Sequence, residues 1–253
     1  MMAANFRLDG RCALVTGAAQ GLGQAMAVAL AEAGADVAAV DVANCDETGA
    51  RVVAAGRRFT AIEQDLRGQS AAHRVVEHAA GAMGRLDILI NNAGIIRRAD
   101  SIDFTEADWD DVIDINLKSV FFLAQAAARR FIAQGGGGKI VNIASMLSFQ
   151  GGIRVPSYTA AKSGVLGLTR LLANEWAPKG INVNAIAPGY MATANTAPLR
   201  ADAARSAEIL GRIPAGRWGQ PDDLAGTVVF LCSSASDYVH GSVIAVDGGW
   251  LAR

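Results

Sequence analysis

The feature that most constrains the fold of this chain is a regular alternation of short, apolar, β-rich runs with longer segments of helical period. Successive strands joined through a helix require right-handed crossovers, which make the strands parallel and cover both faces of the sheet with helices. The alternation therefore predicts an α/β fold with a doubly wound parallel sheet of about seven strands. The strands predicted from it are Arg11–Thr16, Asp36–Asp41, Phe59–Gln64, Leu86–Asn91, Lys139–Ser145, Asn182–Ala187 and Val243–Val246.

Composition and charge narrow the class of protein. The chain has 23 Lys and Arg against 24 Asp and Glu, a net charge of −1, and offers no basic stripe to nucleic acid or an anionic membrane. The uncharged stretch Cys12–Ala31 is interrupted by polar residues and glycines, which argues against a membrane span. Cys12, Cys45 and Cys232 lack the paired spacing of a zinc site or a disulfide framework. We therefore expect a cytoplasmic protein with no metal, nucleic-acid or membrane partner.

A glycine-rich turn joins the first predicted strand to the first helix. Its residues are Thr16, Gly17, Gln20, Gly21, Leu22 and Gly23. Glycines permit tight turning there and let backbone N–H groups approach a pyrophosphate at the helix N-terminus. The motif predicts a dinucleotide site, although a glycine-rich turn alone also fits a loop without a ligand.

Asp41 ends the second predicted strand, eighteen positions after Gly23. A carboxylate at this place would accept hydrogen bonds from the adenosine ribose hydroxyls. Its charge would repel a ribose 2′-phosphate, and no Arg or Lys lies between Gly17 and Gly23 or directly after Asp41 to offset it. The pattern favours NAD over NADP.

The stretch Asn91-Asn92-Ala93-Gly94 follows the fourth predicted strand. Its small residues would let the backbone pass close to the adenosine. A simple turn that ends the strand is the alternative.

Tyr158 and Lys162 lie four residues apart in a helical segment, so their side chains share one helix face. A phenol with a pKa of about 10 is a poor base at neutral pH, and a nearby ammonium favours the phenolate. Ser145 is expected to hydrogen-bond a substrate oxygen beside the tyrosine hydroxyl. Asn116 lies within a long predicted helix, where its amide can hold a water or bend the helix. Each residue alone also fits an ordinary structural role.

Taken together, these motifs resemble those of the short-chain dehydrogenase/reductase family over nearly the whole chain. The resemblance implies one Rossmann-type domain over residues 1–253, with a cofactor half up to about residue 110 and a catalytic and substrate half after it. It implies that Tyr158 exchanges a proton with the substrate while hydride passes to or from C4 of the nicotinamide. Lys162 would bind the nicotinamide ribose and join Asn116 in a water-mediated proton relay.

The resemblance also implies further cofactor contacts and an assembly. The contacts are Asp65 and Leu66 beside the adenine, Asn92, Ala93 and Gly94 at the adenosine, Pro188 and Gly189 after the sixth strand, and Met191 and Thr193 at the nicotinamide carboxamide. The family suggests a homotetramer that packs through the fourth and fifth helices and the last strand. The serine that often precedes the family's lysine is Ala161 here, and we expect no loss of function from it.

Substrate selection is expected in two loops. Gln150 and Arg154 lie between the predicted catalytic serine and tyrosine, and Arg97 and Arg98 follow the Asn-Asn-Ala-Gly turn. Three arginines near one cleft suggest an anion, because the guanidinium fork pairs well with a carboxylate, although solvated or subunit-contact roles fit equally. Longer stretches are similar to family members that act on sugar acids. We therefore expect a sugar-acid substrate, with Arg154 as the leading carboxylate contact and Ser145, Gln150 and Arg97 as further contacts.

Three other interpretations stay open at this point. The same chemistry could act on a 3-ketoacyl thioester or a steroid. A dinucleotide sensor without turnover would have no need to keep the four predicted catalytic residues together. A metal-dependent dehydrogenase would need ligand spacing that His73, His78 and His240 do not form with the cysteines.

Overall fold

The computed structural model describes residues 5–253 and confirms the predicted α/β architecture. Its strands are β1 Cys12–Thr16, β2 Asp36–Asp41, β3 Phe59–Glu63, β4 Ile88–Asn91, β5 Gly138–Ile143, β6 Ile181–Pro188 and β7 Val243–Val246. All pairings are parallel, in the order β3-β2-β1-β4-β5-β6-β7. Because the chain leaves β1 in one direction and returns on its other side at β4, a crevice opens at the carboxyl ends of these two strands.

Helices cover both faces of this sheet. They are α1 Gly21–Glu32, α2 Asp46–Ala54, α3 Gln69–Met83, α4 Glu106–Ile113, α5 Ser119–Gln134, α6 Pro156–Trp176, α7 Ala197–Ala201, α8 Ala203–Arg212 and α9 Ala225–Cys232. A π-helical turn, Asp114–Lys118, connects α4 to α5. Thr105 caps α4, since its hydroxyl accepts a hydrogen bond from the Asp108 N–H at 3.1 Å.

The predicted strand ends differ from the observed ones by at most two residues. One difference affects the site: β5 was expected to reach Ser145, but it ends at Ile143. Ser145 instead caps a short 3₁₀ turn, Met146–Ser148, and its hydroxyl accepts from the Leu147 N–H at 3.1 Å. The serine therefore lies in the loop that follows the strand.

The core lies on both faces of the sheet. Leu14 packs in a cluster with side chains of α3 and α5, such as Phe131, whereas the next residue, Val15, packs in a second cluster with Met26 of α1. Successive strand residues point to opposite faces, so burial on both sides explains why β1 is a continuous apolar run. No helix between residues 5 and 253 has the length and apolar character needed to cross a bilayer.

Candidate active site

A cavity of about 340 Å³ opens at the carboxyl ends of the strands around the β1–β4 crevice. The predicted site residues that line it are Gly17, Gln20, Gly21, Leu22, Gly23, Asp41, Asp65, Leu66, Asn92, Ala93, Gly94, Tyr158, Lys162 and Thr193. Further lining residues, which sequence motifs did not indicate, are Val40, Val42, Gln64, Ile95, Ile115, Ile143, Ala194 and Asn195. Six of these eight residues are apolar, and apolar residues carry no chemical signature in a sequence.

The glycine turn forms the floor of one end of the cavity. Gly17 and Gly21 have positive φ angles of 65° and 61°, and a Cβ on Gly23 would lie 2.0 Å from the Gly17 carbonyl oxygen. The Asn92 amide donates to the carbonyls of Thr16 and Gly17, at 2.8 and 3.0 Å, and ties the turn to the chain after β4. Three glycines are therefore required here by geometry.

The N-terminus of α1 faces this turn without a side-chain cap and without an acidic residue in its first turn. The first N–H groups of a helix lack intrahelical partners and carry partial positive charge. Helix N–H groups without intrahelical partners, next to a glycine turn in which no Cβ occupies the space, can bind a pyrophosphate. The residues present therefore fit a dinucleotide.

Asp41 is held firmly at the end of β2. Its two carboxylate oxygens accept hydrogen bonds from the Ala19 N–H at 3.0 Å and the Ala43 N–H at 3.1 Å. Asp65 lies on the same side of the cavity and pairs with Arg67, whose guanidinium lowers the pKa of the Asp65 carboxyl. This end of the cavity therefore carries fixed negative charge.

Lys162 is a buried cation at the opposite end of the cavity. Its side chain is 4% exposed, and Nζ donates to the Ile143 carbonyl at 2.6 Å and lies 5.6 Å from the centre of the Tyr158 ring. Burial lowers the pKa of Lys162 to about 8. The protein therefore holds this ammonium at a free-energy cost.

Burial raises the pKa of the Tyr158 phenol, while the Ser145 hydroxyl and the positive charge of Arg98 act to lower it. The sequence predicted that Lys162 would lower this pKa, which is not confirmed, because its Nζ is turned to the Ile143 carbonyl. Ser145 does lie beside the tyrosine, as predicted, although from a loop position. Ser145 and Arg98 are thus the groups that lower this pKa, while the Lys162 ammonium lies behind the ring.

Asn116 lies in the π-helical turn, where the sequence had indicated an irregular helix. It is fully buried, and its amide exchanges two hydrogen bonds of 2.9 Å with the backbone N–H and carbonyl of Ile95. Both polar atoms of the side chain therefore fix the chain just after Gly94. The relay with Lys162 stays a prediction.

The structure separates the three candidate arginines. Arg97 pairs with Asp111 at 2.8 Å, and Arg154 pairs with Asp100 at 3.1 Å, and neither lines the cavity. Arg98 donates to the carbonyl of Asn195 at 3.1 Å, and Asn195 lines the cavity. Arg98 does not line the cavity itself, but it alone of the three hydrogen-bonds a lining residue and so lies at the rim. Sequence cannot make this distinction between two adjacent arginines of one loop.

The remaining predicted residues lie around the same end. Thr193 lines the cavity across from Gly21, whereas Gly189 and Met191 line a neighbouring cavity of about 180 Å³. Pro188 is the last residue of β6, and the half-buried Gln150 lines neither cavity. The structure thus does not place Met191 or Gln150 at the main cavity.

Comparisons with known proteins agree with this arrangement. A family model described as enoyl-(acyl carrier protein) reductase matches residues 17–251. The chain is 63% identical over 253 residues to 2-dehydro-3-deoxy-D-gluconate 5-dehydrogenase of Escherichia coli (strain K12) and 64% identical over 253 residues to the protein of that name from Dickeya dadantii (strain 3937), with 100% of both chains covered in each case.

Solved structures show the same likeness. A protein from Agrobacterium tumefaciens described as a 2-deoxy-D-gluconate 3-dehydrogenase, with bound NADP, is 59% identical and superimposes with a TM-score of 0.92 over 98% of this chain and 99% of that one. Likeness in sequence and fold thus extends over almost the entire length. We conclude that the chain belongs to the short-chain dehydrogenase/reductase family of oxidoreductases.

Proposed function

We propose that this protein is an NAD-dependent dehydrogenase that interconverts 2-dehydro-3-deoxy-D-gluconate and its 2,5-diketo form in uronate and pectin breakdown. The main support for the proposal is a single cavity lined by the glycine turn, Tyr158 and Lys162. The chain is also 63% identical over its full length to the 2-dehydro-3-deoxy-D-gluconate 5-dehydrogenase of Escherichia coli. A second candidate, oxidation of 2-deoxy-D-gluconate at C3, is supported by the likeness to the Agrobacterium protein.

The proposed chemistry divides between cofactor and protein. A bound nicotinamide dinucleotide supplies the hydride acceptor or donor. Tyr158 moves the proton at the substrate oxygen: because burial raises its pKa, the phenol is protonated at neutral pH and donates in the reducing direction. In oxidation, Ser145 and Arg98 favour the phenolate that accepts the alcohol proton. Ser145 also orients the substrate oxygen, and Lys162 adds positive charge behind the tyrosine.

We assign the substrate carboxylate to Arg98. Its guanidinium lies at the cavity rim, acts on Tyr158 through its charge, and donates to a neutral main-chain carbonyl, that of Asn195. A carboxylate is a stronger acceptor than a carbonyl and can take two parallel N–H groups of one guanidinium. Arg97 and Arg154 are each engaged by an aspartate, which is why Arg98 replaces Arg154 in this role.

The choice of NAD rests on the charge around Asp41. In the described chain, Lys162 is the one Arg or Lys that lines the cavity, and it lies at the Tyr158 end. A 2′-phosphate would therefore meet the carboxylate of Asp41 with no cation in the lining to offset it. The NADP bound in the Agrobacterium structure supports NADP as the cofactor instead. Initial rates with each cofactor decide between them.

The test of the proposed reaction is direct. Purified protein is incubated with 2-dehydro-3-deoxygluconate and NAD, with NADP, 2-deoxygluconate, a 3-hydroxyacyl thioester and a hydroxysteroid as comparisons, and products are identified by NMR. We expect the C5 carbonyl product with NAD. Oxidation of 2-deoxygluconate at C3, without turnover of 2-dehydro-3-deoxygluconate, would favour the second candidate. Turnover of the thioester or steroid alone would refute the sugar-acid assignment and leave the fold and proton chemistry in place.

We also propose the homotetramer that the family resemblance suggested, with the predicted fourth and fifth helices corresponding to α4–α5 and α6 of the structure. Ile132 of α5 and Leu171 of α6 are 49% and 48% exposed, and a shallow cavity between these helices is lined by further apolar residues. Apolar exposure on two adjacent helices is typical of a subunit contact. Analytical ultracentrifugation should show one species of four chains.

We further propose a cytoplasmic location. Cys12, Cys45 and Cys232 are free and buried, as is usual for proteins of a reducing compartment.

A further inference from the structure

Arg154 has an unusual backbone. Between residues 5 and 253 it is the one non-glycine residue with a positive φ, 64°, a conformation that L side chains rarely adopt. Its neighbours Gly151 and Gly152 show that glycine is frequent in this loop, yet arginine occupies the position where glycine would fit best. Such a conformation persists only when its surroundings impose it, and an outlier of this kind at a site suggests a role for the residue.

The contacts of Arg154 show what imposes it. Its carbonyl accepts a hydrogen bond from the Ala99 N–H at 3.2 Å, and its Nε lies 3.1 Å from Asp100 Oδ1. Backbone and side chain thus hold two consecutive residues of the loop that follows β4. On the other side, Val155 is buried and Pro156 begins α6, the helix that carries Tyr158. Arg154 is the link between the catalytic helix and that loop.

The residue next to this link is Arg98. Its neighbour Ala99 is held by Arg154, and its own guanidinium reaches across the cavity rim to the carbonyl of Asn195. On the preceding side, Ile95 is held by Asn116 and Arg97 by Asp111. Arg98 therefore reaches the cavity rim from a loop whose residues are held on both sides of it, and the contacts of Arg154 with Ala99 and Asp100 are the nearest of these.

We propose that Arg154 is a positioning residue: by holding Ala99 and Asp100, it sets the place of the Arg98 guanidinium and so the preference of the site for an acid over its uncharged analogue. The proposal rests on the proposed function, in which Arg98 binds the substrate carboxylate. It gives Arg154 no contact with substrate, in contrast to the expectation from sequence. Exposed ion pairs contribute little to stability, so loss of this one should leave the melting temperature almost unchanged.

The test compares a sugar acid with its own methyl ester, which keeps the reacting carbon and removes the charge. Arg154→Ala and Asp100→Asn should each raise KM for 2-dehydro-3-deoxygluconate by about twofold to fivefold, the range open to an exposed ion pair, with the KM of the ester nearly constant. Because both changes break one link, the double variant should be no worse than either alone. Arg154→Lys, which keeps the charge but not the Nε geometry, should recover little. Arg7→Ala, which breaks an equally exposed pair with Asp9, is the control and should change nothing.

The outcomes separate this proposal from the one it rests on. The unmodified enzyme should prefer the acid, and Arg98→Ala should lose that preference. If Arg154→Ala and Asp100→Asn both keep it, the positioning role is refuted and the proposed function still stands. Additive effects in the double variant would also refute the positioning role, because they would show that Arg154 and Asp100 act independently and not through their ion pair. An unmodified enzyme that turns over the ester as well as the acid would refute the assignment of Arg98 and this proposal with it.

Discussion

Replacement of Lys162 by Met should make the protein more stable and less active. The ammonium of Lys162 is buried, and burial lowers its pKa to about 8 from the ordinary value of 10.5. Below pH 8 the folded protein therefore carries the full cost of a buried charge. As pH rises from about 8 to 10.5, the folded state loses this proton before the unfolded state does, so the cost falls and stability increases.

The magnitude follows from the size of the shift. A difference of about 2.5 pKa units corresponds to about 3 kcal/mol at pH 7 and about 1 kcal/mol at pH 10. Methionine fills a similar volume without charge but loses the hydrogen bond to the Ile143 carbonyl, which offsets about 1 kcal/mol. We expect Lys162→Met to be about 2 kcal/mol more stable at pH 7, with the gain almost gone at pH 10.

Urea denaturation of both proteins at pH 7 and pH 10 measures this difference directly, and other groups that titrate in this range cancel in the comparison. Lys118→Met is the matched control, because Lys118 is half-exposed and pairs with Asp114 on the protein surface. It should change stability by less than about 0.5 kcal/mol at either pH. A Lys162→Met protein that is less stable than the unmodified one, or whose difference does not change with pH, would refute the assignment of a buried charge.

Three further changes test separate parts of the site. Asp41→Ala should raise kcat/KM for NADP relative to NAD by about 30-fold, the equivalent of about 2 kcal/mol of repulsion after screening, and an unchanged ratio would show that Asp41 does not select the cofactor. Gly23→Ala should abolish NAD binding in a fluorescence titration, since its Cβ would lie 2.0 Å from the Gly17 carbonyl oxygen, whereas Gly81→Ala, which meets no atom within 4 Å, should bind normally. Arg98→Ala should raise KM for the acid at least tenfold, about 1.4 kcal/mol, with little change in the KM of its methyl ester; equal changes in the two KM values would argue against a carboxylate contact.

The sequence predicted the fold well because its signals are local and repeated. Strand-helix alternation and the two-sided burial of runs such as Cys12–Thr16 require a covered parallel sheet, and right-handed crossovers leave few possible orders. The glycine turn was also predictable, since the backbone at Gly17 and Gly21 admits few other residues. Asp41 was predictable from its position at the end of the strand that follows this turn.

Side-chain direction was not predictable in the same way. Arg97 and Arg98 are adjacent in sequence, but one faces Asp111 and the other the cavity rim, and only packing decides which. The pKa of Tyr158 depends on whether Lys162 Nζ points to the phenol or to a backbone carbonyl, which a four-residue spacing leaves undetermined. The strained backbone of Arg154 has no sequence signature either, because glycine would be the residue expected there.

Single-turnover kinetics of Tyr158→Phe measure whether Tyr158 moves the proton that accompanies hydride transfer. The enzyme is mixed with saturating NAD and 2-dehydro-3-deoxygluconate, and NADH formation is followed by absorbance, with cofactor affinity measured separately. We expect the transfer rate to be lowered by about 10²- to 10⁴-fold, with cofactor affinity almost unchanged. A transfer rate equal to that of the unmodified enzyme would contradict this role of Tyr158.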